Sequence, residues 1–317
     1  MRGAFFDALL TLAERDHRIN LIVGDLGFGV VEEFARRFPE RFLNAGIAEQ
    51  NMTGIAAGMA LSGRIVFTYS IANFPILRCL EQVRNDVCYH NANVKIVAVG
   101  GGLAYGSLGS THHATEDLAI MRSLPRMTVV APADPAETGA ATRAVAARPG
   151  PCYLRLGRAG EAKVHHGPID FQLGKAIQVS QGRDLSLIST GGMLESAVQI
   201  AESLHHAGLQ TRVLSMHTVK PLDADAILAA ARETGAVFTL EEHSVDGGLG
   251  GAVAELLAEA GAGPLTFRRF GLPSAFSPVV GTQEYLRAQH GLTAEAVASA
   301  IASILEKDRT FAATCTG

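Results

Sequence analysis

Long apolar runs are missing from this 317-residue sequence. Nowhere do 18 consecutive apolar residues occur, so no membrane span is expected. The start, Met1-Arg2-Gly3-Ala4-Phe5-Phe6-Asp7, meets charge before any apolar stretch, which argues against a signal peptide. Cysteine is scarce too. Cys79, Cys88, Cys152 and Cys315 form no C-x-x-C pair and are too few for a disulfide framework, so reduced thiols and a cytoplasmic location are expected. Basic tracts are also lacking. Lys and Arg number 27 against 31 Asp and Glu, a net charge of -4, so nothing is present to grip a phosphate backbone and nucleic acid is set aside as a partner. His90, His112 and His113 lack zinc-ligand spacing, and no metal site is expected on this chain.

Hydrophobic residues make up 48% and glycine occurs 34 times, a composition that folds. The length suits two domains of about 150 residues each. Short apolar runs alternate with longer amphipathic ones, the pattern of βαβ units and a parallel sheet. In the first half, strands are expected at 21–23, 42–43, 65–69, 94–99, 128–131 and 152–156, with helices at 4–14, 31–38, 48–61, 74–89, 115–123 and 135–147. A polar Gly/Pro stretch then marks a linker at 161–170. Strands near 185–190, 211–215, 237–241 and 265–270, with helices near 194–207, 223–232, 251–260, 283–288 and 293–306, fill the second half. The expected fold class is α/β: two tandem doubly wound domains at 1–160 and 171–317, the first built on a mostly parallel six-stranded sheet, the second on a smaller mixed one. Residues 310–317 read as an unstructured tail exposing Cys315.

Two glycine clusters invite a phosphate-binding reading and do not sustain it. Gly100-Gly101-Gly102-Leu103-Ala104-Tyr105-Gly106 has no following Lys-Ser/Thr, and neither it nor Gly247-Gly248-Leu249-Gly250-Gly251 has dinucleotide-fingerprint spacing. Both read as tight turns that let backbone or substrate approach closely. The sharper feature is Asn44-Ala45-Gly46-Ile47-Ala48-Glu49-Gln50-Asn51-Met52, which joins a short strand to a Gly/Ala-rich helix. With Gly46 as N-cap, Glu49 would fall at N3 and satisfy free N–H groups. Its other reading is a carboxylate at a domain edge, poised to share a proton with a buried ring nitrogen.

The stretch from Gly46 to Met52 resembles the central signature of the transketolase family of thiamine-diphosphate enzymes. Similar stretches follow in family order: Val23-Gly24-Asp25 upstream, then Gly109-Ser110-Thr111-His112-His113, Glu116-Asp117-Leu118-Ala119 and Ala131-Pro132-Ala133-Asp134. Thr218-Val219-Lys220-Pro221-Leu222-Asp223, Glu241-Glu242-His243 and Gly247-Gly248-Leu249-Gly250 complete the series. The likeness covers almost the whole chain, yet corresponds only to the second half of a full transketolase. The Gly-Asp-Gly motif that holds the diphosphate and its metal in the family is absent; the one Gly-Asp pair, Gly24-Asp25, is followed by Leu26. The resemblance therefore implies one subunit of a split enzyme, inactive without an N-terminal-half partner, with an α2β2 heterotetramer as the natural assembly.

It further implies thiamine diphosphate and Mg²⁺ as cofactors, the diphosphate and metal held mainly by the partner. Glu49 matches the glutamate that activates the cofactor pyrimidine, and His112 the histidine that shuttles protons to substrate hydroxyls. Asp25 matches an aspartate close to the cofactor. Phe74, or else Tyr69, is the candidate to stack on the pyrimidine, although either residue could serve the core. Arg158 matches a phosphate-binding arginine and Arg2 pairs with it as a second. Two family positions depart: Leu108 replaces an acidic residue that reads a donor hydroxyl, and Gly100 stands where the family has histidine. The implied reaction moves a two-carbon ketol unit from a ketose phosphate to an aldose, with modified or sulfonated sugars as further donors. The competing readings are the β subunit of a 2-oxoacid dehydrogenase and a non-catalytic assembly subunit. Deoxyxylulose-phosphate synthase shares Ala-Glu-Gln, but the histidine that commonly follows is lacking here. His217 and His243 read as structural.

Overall fold

The computed structural model describes residues 1–263 and 265–315, with side chains described through 308. The first half runs α1 (Arg2–Arg15), β1 (Ile19–Val23), α2 (Glu32–Arg37), β2 (Phe42–Asn44), α3 (Glu49–Leu61) and β3 (Ile65–Ile71). There follow α4 (Leu80–Gln82), continued by a π-helix (Val83–Tyr89), then β4 (Val94–Val99), α5 (Asp117–Ser123), β5 (Thr128–Val130), α6 (Pro135–Ala147) and β6 (Cys152–Leu156). Strands β1, β3, β4 and β6 are near-continuous apolar runs, which suits a parallel sheet covered on both faces. One face packs Met52, Ala56 and Ala57 of α3 and Val83 and Val87 of the π-helix against Ile22, Val66 and Ile96. The other packs Phe5 and Leu9 of α1 and Ala141 and Val145 of α6 against Leu21, Phe67 and Val97. Helix α6 starts where the sequence says it should: Asp134 accepts from the Glu137 N–H and Pro135 opens the first turn.

The second half holds β7 (Ile177–Ser180), β8 (Leu185–Ser189), α7 (Leu194–His206), β9 (Thr211–Ser215), β10 (Thr218–Lys220), α8 (Ala224–Thr234) and β11 (Ala236–Ser244). It ends with α9 (Leu249–Glu259), β12 (Thr266–Leu272), α10 (Gln283–Gln289) and α11 (Ala294–Cys315). Its sheet has the order β12-β11-β8-β9-β7 and is parallel except at β7.

The expected six strands of the first sheet are present, but the sheet has seven, in the order β10-β5-β6-β4-β3-β1-β2. The seventh, β10, comes from the second half and pairs antiparallel with β5. At three residues it is too short to show a period. The helix expected over 74–89 begins only at Leu80; residues 72–79 are turns, with Pro75 among them. The tail reading is corrected as well: α11 is helical through Cys315, while the exposure of Cys315 and all of Thr316–Gly317 lie outside what is described.

Candidate active site

The carboxyl ends of β1 and β2 meet through side chains. Asn44 Oδ1 accepts from the N–H groups of Asp25 and Gly46, and Asn44 Nδ2 donates to Asp25 Oδ1 at 2.9 Å. Asp25 is exposed and takes a left-handed φ of 52°, a conformation Asp tolerates better than most residues. Gly46 follows with φ 73°, and the chain turns into α3. Glu49 is the first residue of that helix, after an N-cap at Ala48, and not at N3; its carboxyl caps nothing. It is instead buried, 1% exposed, and paired with Arg78, whose Nη1 donates to Oε2 at 2.6 Å. Oε1 has no partner among the described residues. It borders Gly24, as does the Ser70 hydroxyl, which is also unpartnered. A buried acceptor left unsatisfied costs about 1–3 kcal/mol, so both groups would gain from a polar partner.

A row of rings leads away from Glu49. The Arg78 guanidinium lies 4.6 Å from the Phe74 ring centroid, and Phe74 meets His112 edge-on at 5.3 Å. Tyr105 meets His112 at 6.4 Å, and Arg158 lies over Tyr105 at 5.1 Å. Arg2, from the start of α1, lies near the same phenol. Burial raises the pKa of Tyr105, and the positive charges of Arg2 and Arg158 oppose that rise. His112 is half-buried on the loop after Gly109, its Nδ1 within 3.0 Å of the Thr111 hydroxyl. Gly100, at φ 85°, is required here: a Cβ would overlap the Tyr105 ring. Tyr105 therefore fills the volume that a side chain at position 100 would need.

The structure brings Glu49, Phe74, His112 and Arg158 into one row, with Arg2 near Tyr105 and beside the Tyr69 hydroxyl, while the Tyr69 ring itself lies elsewhere. Tyr69 is fully buried and lies with Phe5 and Phe6 on the α1/α6 face of the sheet. Its neighbour Ser70 points the other way, toward Gly24, as strand alternation demands. Tyr69 is a core residue and offers no ring surface to a ligand beside Glu49. Two members of the row escape a reading of the sequence. Arg78 is the only charged residue between Ile71 and Leu80, a signal that could have been read. Tyr105 is hidden within a glycine cluster.

Other sequence motifs belong to the join between the two halves. Arg155, 6% exposed, donates to Asp117 through Nε and Nη2, while Tyr153 donates its hydroxyl to the same carboxylate. Arg155 also reaches the Glu242 carbonyl, and the Leu103 N–H donates to Glu242 Oε1 at 2.6 Å. Gly101 and Gly102 permit this approach, since a Cβ on either would meet Arg155 or Glu242. Glu241 accepts from the N–H groups of Leu249 and Gly250 at the start of α9. His243 sits against the Ala119 amide, and His217 stacks on Phe171 at 3.9 Å. Cys79, Cys88 and Cys152 are free and buried. Among the described residues no group of three or more His, Cys, Asp or Glu could hold a metal, and no helix is long and apolar enough to cross a membrane.

A buried carboxyl, an aromatic face, an imidazole and a cationic corner in sequence suit a flat nitrogen heterocycle followed by a small anionic substrate. Models of the transketolase pyrimidine-binding domain and of the transketolase C-terminal domain match residues 1–160 and 174–297. The chain is 40% identical over 308 residues to one of the subunits of the apulose-4-phosphate transketolase of Phocaeicola vulgatus, covering 96% of this chain and 97% of that one. It is also 40% identical to the SqwH chain of the 6-deoxy-6-sulfo-D-fructose transketolase of a Clostridium species, covering 97% and 95%. A solved structure described as a split-gene transketolase, inactive beta4 tetramer, superposes with a TM-score of 0.87 at 40% identity, covering 96% of this chain and 97% of that one. The chain belongs to the transketolase family, and its extent matches that of split-transketolase subunits.

Proposed function

We propose that this chain is the pyrimidine-binding subunit of a split, thiamine-diphosphate-dependent transketolase that moves a two-carbon ketol unit from a ketose bearing an anionic group to an aldose. The observation that carries this reading is Glu49: a buried carboxyl at a helix start that caps nothing, enclosed at Oε1 and paired at Oε2 with a half-exposed arginine. These residues fit the pyrimidine of thiamine diphosphate, because the carboxyl can share its proton with a ring nitrogen and a ring face can lie on Phe74. When bound, that cofactor supplies the electron sink for C–C cleavage.

The chain's own residues then have separable tasks. Glu49 holds a proton against the ring nitrogen. Phe74 offers the stacking face, and Asp25, fixed to Asn44, closes the loop beside it. His112 moves protons to and from donor hydroxyls, held in place by its contacts with Phe74 and Tyr105. Arg158 and Arg2 take the anionic end of the sugar. The names of the two relatives support that last assignment, since one carries a phosphate and the other a sulfo group. A second chain supplies the groups for the diphosphate and Mg²⁺, in an α2β2 assembly.

The test is donor consumption by the purified chain, alone and mixed with an N-terminal-half subunit, with thiamine diphosphate and Mg²⁺ present. Xylulose 5-phosphate and sulfonated ketoses serve as donors and ribose 5-phosphate as acceptor. Turnover confined to the mixture and lost in Glu49→Gln supports the proposal. Pyruvate decarboxylation by the mixture points to a 2-oxoacid dehydrogenase instead, and full activity of Glu49→Gln to an assembly role. Sugar turnover by the lone chain overturns the need for a partner.

A further inference from the structure

We propose that Arg78 is a displaceable counter-ion: it latches the Glu49 carboxyl in the free chain and must release it before a pyrimidine ring can reach that acid. The latch rests on the cofactor reading given above and adds a cost that assembly has to meet.

Three observations carry it. Glu49 has a single described side-chain partner, Arg78 Nη1 at 2.6 Å on Oε2. The other oxygen, Oε1, is sealed from solvent beside Gly24. An incoming ring nitrogen therefore reaches the acid through Oε2, the oxygen that Arg78 now holds. Next, the two partners differ in burial: Glu49 is 1% exposed, Arg78 45%. The carboxyl is fixed in the protein while the guanidinium borders solvent and can turn outward into water. Finally, Arg78 sits in the turns between β3 and α4 and lies over the Phe74 ring at 4.6 Å. The aromatic face that would stack on the ligand is thus covered by the same guanidinium. One side chain blocks both contacts.

Such a latch has a physical reason. A buried carboxyl with no cation beside it is costly, and a free subunit has to carry that acid before its partner arrives. Arg78 answers the need from the solvent side, with a flexible stem and a planar head that rides on an aromatic face.

Two measurements separate this from a merely structural ion pair. In the free chain, urea unfolding of Arg78→Met, Glu49→Gln and the double variant forms a cycle. Arg78→Met is expected to be the least stable of the three, and removal of the acid in the double variant to restore stability. In the complex with the N-terminal-half subunit, calorimetric titration of thiamine diphosphate with Mg²⁺ should show Arg78→Met binding more tightly than the unaltered complex, on the order of three- to tenfold. Arg78→Gln, which keeps a neutral donor, gives the same readout if the methionine variant does not fold. Unchanged or weaker cofactor binding by these variants overturns the latch alone and makes Arg78 a permanent positioning residue. An unaltered complex that binds no thiamine diphosphate overturns the cofactor reading and the latch with it.

Discussion

Glu49 and its neighbours show what a residue type can and cannot reveal. An acid at the start of an Ala/Gly-rich helix looks like a cap, and only its burial and its orphaned oxygen remove that explanation. Glu49→Gln keeps size and hydrogen bonding, so the free chain should retain its far-UV spectrum and fold. The assembled enzyme should lose about 10²–10⁴-fold in ketol transfer, the usual worth of a positioned proton partner. Arg155 is the structural counterpart. It is 6% exposed and buried against Asp117, so Arg155→Met leaves a buried carboxylate without its cation. A loss of about 3–5 kcal/mol is expected in urea unfolding of the free chain.

At the scale of elements, the loop between β4 and α5 decides the shape of the site. Gly100 turns the chain at φ 85° and makes room for Tyr105, which in turn meets His112 and Arg158. Gly100→Ala forces the ring out of its place and strains the backbone. About 1–3 kcal/mol of stability should be lost, measurable by denaturant midpoint, together with a raised KM for the anionic donor in the assembled enzyme. Long elements were legible from periodicity: β3, β4, β6 and α3 lie where their apolar runs place them, and α6 where its Asp134 cap does. Short ones were not. β10 and β7 are brief edge strands whose partners lie far away in sequence, so nothing local distinguishes them from loop. The 72–79 segment looked helical because it is apolar, and Pro75 and the packing around it decided otherwise.

For the whole molecule, the linker is pinned between the two halves. Asp134 Oδ2 accepts from the N–H groups of Val164 and His165, and Glu137 Oε1 takes both the His165 ring and the Ser215 hydroxyl. Pairing with Glu137 raises the pKa of His165 above 6.5, whereas burial lowers that of nearby His217. A raised histidine contributes stability that is complete below the ordinary value and lost as pH rises through the folded one. The stability difference between the unaltered chain and His165→Gln should therefore shrink as pH rises above about 6.5 in paired thermal melts. His217 acts in the other sense: its contribution is present above 6.5 and is lost as pH falls through its lowered value. The two trends are separable by His217→Gln.

The sequence by itself determined the α/β class, the tandem arrangement and the identity of most groups in the site, because apolar periodicity and collinear motifs are local records of burial and chemistry. Glu49, His112, Phe74, Arg158 and Arg2, the groups proposed for the site, were each named through the resemblance of their motifs to the family. Tertiary structure alone decided that Tyr69 serves the core, that Arg78 holds Glu49 and that Tyr105 fills the space at Gly100. It also carried β10 across to the first sheet. The physical reason is common to all four: which face of a strand a side chain takes, and what meets it there, depends on residues distant in sequence that only the packed sheet brings within contact.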